Sequence, residues 1–133
     1  LELTTGYAHL QGQTDTDDDG KVDLDLDGAN ISPDRLNLAA AFNRGRLSGR
    51  LQGQFYLSRR FGGGDPRNDF GGYVLADAVL RYQTGLGALS MSVQNLFDEQ
   101  YISYNSDTTN PVDNSRFFAG RGRVFTLGWD YRF

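Results

Sequence analysis

The chain has 133 residues, no cysteine and a formal net charge of −4. A nucleic-acid partner is disfavoured because proteins that bind DNA or RNA usually carry a basic excess, and the lack of cysteine excludes disulfides and thiolate metal sites. No apolar run of about 18 residues marks a transmembrane helix. The nine phenylalanines, seven tyrosines, 17 glycines and three prolines favour β structure.

Six segments alternate between apolar and polar residues with the period of two that is typical of a half-buried strand. In the third segment, Leu51 and Phe55 lie on one side, whereas Arg50, Gln52 and Gln54 lie on the other. At roughly ten residues, the segments are longer than the about five or six usual in soluble sheets and close to the length with which a tilted strand crosses a bilayer. In chain order they cover about residues 1–11, 34–43, 46–58, 73–83, 89–94 and 121–133.

The connections between these segments are of two kinds. The sequences NRGR (43–46) and TGLG (84–87) are short and contain glycine, which predicts the tight turns of antiparallel hairpins. The connections over 12–33, 61–72 and 98–120 are long. Because long and short connections alternate, we expect all the long ones at one end of the sheet, as in outer-membrane barrels with short periplasmic turns and long extracellular loops.

The two sides of the segments indicate what surrounds the sheet. The polar side of the third segment carries two arginines, whereas the interior of a small soluble barrel is filled with apolar side chains. A soluble sheet would need a further layer over its apolar side, and we see no helix or second sheet in this sequence to supply it. We therefore predict an all-β fold that forms part of an antiparallel transmembrane barrel. The aromatic residues expected at its interfacial belts are Tyr7, Tyr82, Trp129, Tyr131 and Phe133.

The number of segments is small for a complete barrel. The smallest single-chain membrane barrels contain about eight strands, and an open sheet edge in lipid leaves backbone groups without hydrogen-bond partners. Two possibilities follow: the chain is the last part of a larger barrel, or several copies assemble into one.

Two stretches near the end of the chain carry a resemblance. The sequence NLFDEQY (95–101), followed by a long loop and by FFAGRGRVFTLGWDYRF (117–133), resembles the C-terminal end of TonB-dependent outer-membrane receptors. That family typically shows an N-L-F-D-x-x-Y stretch, a loop, a G-R pair before a hydrophobic stretch, and a final strand that ends in Y-x-F. The stretch GDPRNDFGGYVLADAVLRYQ (64–83) is similar to the preceding strand in members that carry ferric siderophores. The specific match covers residues 64–133, and residues 1–63 match only in organisation.

The resemblance implies that residues 1–133 are the C-terminal part of a barrel of about 22 strands in the bacterial outer membrane. The N-terminal plug domain and the TonB box of such a receptor would be absent from this chain. The implied activity of the intact receptor is the binding and import of ferric siderophores or similar ligands, driven by TonB through that N-terminal region. The implied partners also include outer-membrane lipid and the barrel-assembly machinery, which would read Tyr131 and Phe133 as an assembly signal.

Three arginines, Arg116, Arg121 and Arg123, lie near the start of the last segment. On the family's organisation they would form a cationic cluster near the extracellular mouth. Such a cluster would attract an anionic ferric chelate, because a focused field raises the local concentration of ligand. The alternative is that individual arginines pair with carboxylates such as Asp77 or Asp130.

The polar sides of the third and fourth segments supply the residues expected to face the lumen. In an intact receptor these residues would contact the plug or the transport pathway. They are Arg46, Arg50, Gln52, Gln54, Asp77 and Arg81.

The acidic sequence DTDDDGKVDLDLDG in loop 12–33 fits most of an EF-hand calcium loop. Its twelfth position, where EF-hands have a bidentate glutamate, holds Leu26, and amphipathic helices do not flank it. Two interpretations stay open: a solvated acidic tip of an extracellular loop, or a weak Ca²⁺ site. No other cofactor is expected. The candidate ligands are Asp15, Asp17, Asp19 and Asp23.

We expect no enzymatic activity. His9 is the only histidine, and no serine-bearing nucleophile elbow lies beside it. Two other functions stay open besides the receptor. One is a passive pore or adhesin-like barrel assembled from several chains, and the other is a soluble β module that binds calcium.

Overall fold

The computed structural model describes residues 1–26, 30–61, 69–108 and 118–131. Within these ranges it contains eight β-strands and one short α-helix, α1 (Tyr104–Thr108). No helix in the described ranges is long and apolar enough to cross a membrane. The strands are β1 (Glu2–Ala8), β2 (Gln13–Thr14), β3 (Leu24–Asp25), β4 (Arg35–Arg44), β5 (Leu47–Tyr56), β6 (Tyr73–Thr84), β7 (Gly87–Gln94) and β8 (Val124–Tyr131).

Six of the strands form one antiparallel sheet in the order β1-β4-β5-β6-β7-β8. This confirms the all-β prediction and the six predicted segments, whose observed bounds differ from the expected ones by only a few residues. Strands β2 and β3 form a separate two-stranded hairpin within the connection from β1 to β4. The large sheet is open in the described part of the chain, since β1 and β8 are its two edges.

Two-residue turns at 45–46 and 85–86 join β4 to β5 and β6 to β7. Gly45 has a φ of 60°, a left-handed conformation that glycine reaches without strain. Gly87 has a φ of 140°, and a Cβ atom there would overlap the carbonyl oxygen of Asp130 on β8. The tight hairpin turns predicted from the short glycine-bearing connections are therefore confirmed.

All three long connections leave the sheet at the end opposite these turns. They run from β1 to β4, from β5 to β6 and from β7 to β8, so the predicted segregation of long and short connections is confirmed. They also contain two elements that the sequence did not indicate, the β2–β3 hairpin and α1. The chain therefore contains a short helix and a small second sheet that we did not expect. The apolar residues of the large sheet nevertheless stay exposed, as expected for a sheet without a covering layer.

The buried core lies at this end of the sheet, among the long connections. Phe61, Phe70 and Tyr104 are its buried members, and Tyr56 and Tyr73 of the sheet pack against them. Phe70 meets Tyr73 and Tyr104 edge to face, with ring centroids 5.6 and 4.9 Å apart, an arrangement that aromatic pairs prefer. The sheet thus has a small aromatic core at one end instead of a core along one face.

Candidate functional site

One face of the six-stranded sheet is apolar across its whole width. Directly paired residues of antiparallel strands point to the same face, so the register defines rows of side chains that cross the sheet. We call this side the apolar face and the opposite side the polar face. The central row of the apolar face consists of Leu3, Ala40, Leu51, Ala78, Val93 and Phe125.

The next row toward the turns has the same character. In the described strands, the one charged residue on the apolar face is Arg44, beside the β4–β5 turn. The apolar side predicted for each segment is therefore confirmed, and the register shows that these sides coincide. The members of this second row are Phe42, Gly49, Leu80, Met91 and Leu127.

The apolar face is exposed. Leu3, Leu127 and Phe125 are 75%, 74% and 68% exposed, and Leu51 in the middle of the sheet is 51% exposed. Monomeric soluble proteins rarely expose contiguous apolar patches of more than a few hundred Å². Larger exposed patches mark protein–protein or membrane interaction sites, ligand-binding grooves or surfaces prone to aggregation.

Small residues create a depression in the apolar face. A Cβ atom at Gly53 would lie 3.1 Å from the Phe55 ring, which shows how closely this ring approaches the glycine. Around Gly53, an apolar groove of about 620 Å³ runs across β1, β4, β5 and β6 toward the turn after β7. Leu51, Val74 and Phe97 are among the residues that line it. The apolar face is therefore grooved and not flat.

The polar face collects most of the residues that the sequence predicts to face a lumen. Gln52 and Asp77 are a directly paired couple on β5 and β6. Arg46 lies instead in the β4–β5 turn, beyond the paired part of the strands. The five predicted residues that share the polar face are Arg50, Gln52, Gln54, Asp77 and Arg81.

An ion pair and a hydrogen bond engage the carboxylates of the polar face. Arg81 Nη1 lies 2.7 Å from Asp130 Oδ2 on β8, and Asp130 is one of the carboxylates considered above as an arginine partner. Asp77 Oδ1 accepts a hydrogen bond of 3.0 Å from the N–H of Asn95. Asp77 and Asp130 therefore both have partners within this chain.

The NLFDEQY stretch forms a turn that the side chain of Asn95 holds in place. Asn95 is 5% exposed and has a φ of 49°, a left-handed conformation that asparagine tolerates better than most residues. Its Nδ2 donates to the carbonyl oxygens of Glu99 at 3.0 Å and Arg121 at 3.1 Å, and its Oδ1 accepts from the N–H of Glu99 at 2.8 Å. One buried side chain therefore fastens the turn after β7 to the chain that leads into β8.

Asp98 makes a second link between the same two stretches. Its Oδ1 accepts the N–H of Arg123 at 2.8 Å, and its Oδ2 lies 3.6 Å from Arg123 Nη2. Gly122 gives room for this contact, since a Cβ atom there would lie 3.3 Å from Asp98 Oδ1. Gly120 likewise gives room for the Tyr101 ring, which a Cβ atom there would overlap. The turn at Asn95 and the stretch that leads into β8 are thus held together by these two side chains, a role that sequence reasoning missed.

The predicted cluster of arginines is described only in part. Arg123 is paired with Asp98, and Arg121 is exposed. Arg116 and the terminal Phe133 lie outside the described residues. The binding of an anionic ligand by these arginines stays a prediction.

The β2–β3 hairpin holds the acidic loop between its strands. Asp15, Asp17 and Asp19 each offer a carboxylate oxygen, and these oxygens lie within 4.8 Å of one another. Asp23 has another partner: its carboxylate accepts hydrogen bonds from Thr16 Oγ1 at 2.6 Å and from the Thr16 N–H at 3.0 Å. The structure therefore brings together three of the four predicted calcium ligands.

Groups of the loop itself stabilise its carboxylates. The N–H groups of Gly20 and Asp18 each donate to Asp15 at 2.8 Å, and these bonds, chiefly that of Gly20, lower the pKa of Asp15. The Thr16 hydroxyl likewise lowers the pKa of Asp23. These hydrogen bonds favour the ionised form of both carboxylates.

Asp34 ties the base of this connection to the sheet. The Tyr7 hydroxyl donates to Asp34 Oδ2 at 2.8 Å, and His9 Nδ1 lies 2.8 and 2.9 Å from the two Asp34 oxygens. Partial burial opposes ionisation of Asp34, but the hydrogen bonds from Tyr7 and His9 outweigh it and lower the pKa of Asp34. His9 is thus engaged as the partner of a carboxylate.

Comparison with protein-family models and solved structures identifies no family for this chain. No protein-family model matches the chain, and no solved structure matches it. The observations that bear on function are therefore the two unlike faces of the sheet, the segregated connections and the linked turn at Asn95.

Proposed function

We propose that this chain is a section of a transmembrane β-barrel in the bacterial outer membrane, in which the apolar face contacts lipid and the polar face lines the lumen. The observation that carries this proposal is the continuity of the apolar face across all six strands, where Arg44 is the one charged residue among those that the structure describes. Strands of membrane barrels alternate in this way, with apolar residues facing lipid and polar residues facing the water-filled lumen.

Lipid is the partner that best fits an apolar face of this extent. Burying a leucine or phenylalanine side chain contributes about 1.5–3 kcal/mol relative to leaving it exposed. Leaving a few rows of this face uncovered therefore costs about as much as the whole free energy of unfolding of a typical domain, about 5–15 kcal/mol. The exposed residues at the centre of this face, such as Leu51 and Leu80, argue for a surrounding medium that covers every strand at once.

Aromatic residues at both ends of the apolar face support the same proposal. Tyr82, Trp129 and Tyr131 lie toward the turns, and Tyr7 lies toward the long connections. Amphipathic aromatic rings favour the boundary between water and lipid, so these residues would form two belts. On this proposal Tyr131, together with Phe133, also serves as the signal that the barrel-assembly machinery reads.

Further strands are needed to close such a barrel. Membrane barrels of one chain contain about eight strands or more, and the free edges of β1 and β8 would leave backbone groups without partners in lipid. We propose that strands of the same polypeptide supply these partners. The alternative is a passive pore or adhesin-like barrel in which several copies of this chain complete the sheet.

The type of barrel that we propose is a TonB-dependent receptor for ferric-siderophore-like ligands. Its support is the order of the motifs along the chain and the way Asn95 and Asp98 join them into one turn. Ligand capture would involve the long connections over 12–33, 61–72 and 98–120 together with the plug. TonB would then rearrange the plug, so transport belongs to the intact receptor.

The first test of membrane insertion compares this chain in buffer and in detergent micelles. We expect β-sheet circular dichroism and a single size class in detergent, and aggregation in buffer, because the apolar face needs acyl chains. A cooperatively folding monomer in plain buffer would overturn the proposal. That result would favour the soluble calcium-binding module instead.

A calcium site in the acidic loop is the second candidate function. The observation that favours it is the convergence of Asp15, Asp17 and Asp19, carboxylates of the kind that hard cations prefer. In a receptor this loop would be extracellular, where a weak site is useful because calcium is abundant there. A calcium titration of matched aspartate variants tests it.

A further inference from the structure

The polar face contains a groove between β1, β4 and β5 to which the proposed function assigns no ligand. Its volume is about 340 Å³, within the range of about 300–1,000 Å³ that is typical of small-molecule sites. Gly6 and Ala39 keep it open because their side chains are small or absent. The polar side chains that line it are Thr4, Arg35, Asn37, Arg50, Gln52 and Gln54.

Arg35 and Arg50 lie toward opposite ends of this groove. Arg35 pairs with Tyr56 in the sheet, and Tyr56 is six residues along β5 from Arg50. This corresponds to a backbone separation of about 20 Å at 3.3 Å per residue. Because both side chains line the same groove, two positive charges act on it from its two ends.

Neither arginine has a carboxylate partner within the described part of the chain, where the arginine ion pairs engage other residues. Arg50 Nη2 lies 3.5 Å from Oε1 of Gln52, a long hydrogen bond to a neutral side chain. The Arg35 guanidinium lies 5.8 Å from the centre of the Tyr56 ring. A guanidinium presents a fork of donors that matches a carboxylate, and both forks are available to a ligand.

We propose that this groove binds a small linear dianion, with one carboxylate held by Arg35 and the other by Arg50. Asn37, Gln52 and Gln54 line the stretch between them, and their amides offer both donors and acceptors to polar groups in the middle of the ligand. A compact anion would reach only one arginine, so the separation of the two favours a molecule whose charges are apart. This inference goes beyond the proposed function and does not depend on membrane insertion.

Negative charges also lie near the groove and oppose an anion at the end of Arg50. Asp130 forms an ion pair with Arg81, whereas Asp77, directly paired with Gln52, accepts a hydrogen bond from the neutral N–H of Asn95, which cancels no charge. Glu2 and Arg50 lie in one row of side chains across the sheet, on either side of Ala41. The Glu2 carboxylate therefore repels an anion bound at the Arg50 end of the groove. Replacement of Glu2 by glutamine is therefore expected to strengthen binding.

The test uses succinyl-triglycine, a small dianion with amide groups between its carboxylates. The full chain is titrated by calorimetry in the medium, buffer or detergent, in which circular dichroism shows the β-sheet. We expect one site, which the neutral acetyl-triglycine amide does not fill. R35Q and R50Q are each expected to weaken binding about tenfold or more, because a charge-assisted hydrogen bond is lost.

Arg44 provides the matched control, since R44Q removes the same charge from the opposite face of the sheet. It is expected to leave the affinity unchanged, and circular dichroism establishes that each variant is folded. Equal losses in R44Q and R50Q would overturn the proposal in favour of general charge attraction, as would the lack of any binding of the dianion. Both outcomes are independent of which medium folds the chain, so they leave the membrane proposal to its own test.

Discussion

The two faces of the six-stranded sheet are built from the same strands but suit different environments. On β8, Leu127 is 74% exposed on the apolar face, and the adjacent Thr126 belongs to the polar face. Because side chains alternate, each strand has to satisfy both environments, and a shift of register by one residue would exchange them. Backbone pairing and a small aromatic core at one end hold this sheet together, and its apolar face adds stability only where a hydrophobic medium covers it.

Charge insertion is the strongest way to test the difference between the faces. L127R places a cation on the apolar face, and we expect it to lower the free energy of unfolding in phospholipid vesicles by about 2–4 kcal/mol. T126R places the same charge one residue away on the polar face, where we expect a change of about 0.5 kcal/mol or less. Denaturant unfolding measures both. Equal losses in the two variants would contradict the assignment of one face to lipid and of the other to water.

Removal of the Asn95 side chain tests stability that does not come from the apolar face. N95A leaves the groups of Glu99 and Arg121 that it binds without partners, and we expect a loss of about 1–3 kcal/mol in the free energy of unfolding. Asn43, exposed at the end of β4, is the matched control, and N43A should change little. A neutral N95A would contradict the structural role of this turn.

A calcium titration tests whether the acidic loop binds a cation from solution, whereas the apolar face is expected to contact lipid. We expect Ca²⁺ to bind with a dissociation constant of about 0.1–1 mM, as in extracellular modules. D17N should abolish this binding, because Asp17 belongs to the cluster of three carboxylates. D18N removes the same charge outside the cluster and should preserve most of it. If calorimetry shows the same affinity in both variants, the loop is only an acidic tip.

The smallest effect is expected from the titration of Asp34. Hydrogen bonds lower its pKa in the folded chain below the about 3.9 of an unfolded aspartate. The stability that its carboxylate contributes is therefore fully present above about pH 4 and is lost as the pH falls through the lowered folded pKa. D34N should flatten the acid limb of a plot of unfolding free energy against pH. A D34N profile parallel to that of the original chain would contradict this role.

The fold could be predicted from the sequence where local rules are strong. Alternation with a period of two fixed the strands, and the glycines of the short connections fixed the hairpins, since the φ of Gly45 and the close approach of Gly87 to Asp130 leave little choice. The two-residue turns then set the register within each hairpin. Within each hairpin, this register places the apolar residues of both strands on one face. Between hairpins, the alternation of apolar and polar residues selects the pairing that keeps the apolar residues on the same face.

The rest depends on contacts that no local pattern encodes. The bond from Asn95 to the Arg121 carbonyl joins residues 26 positions apart, and the aromatic core of Phe61, Phe70 and Tyr104 lies in connections without periodicity. The spacing of the acidic loop predicted Asp23 as a ligand, yet the neighbouring Thr16 offers it two hydrogen bonds. Side-chain to backbone bonds of this kind compete with the arrangement that a motif suggests.

The most direct test of the central claim uses Trp129, the only tryptophan in the chain, which lies on the apolar face and is 52% exposed. The measurement is its fluorescence in vesicles whose phospholipids carry bromine on their acyl chains. If the apolar face contacts lipid, bromine quenches Trp129, whereas the tryptophan of the double variant W129F/T126W on the polar face is quenched instead by dissolved acrylamide. A folded chain whose Trp129 is quenched by acrylamide and not by brominated lipid would contradict the account.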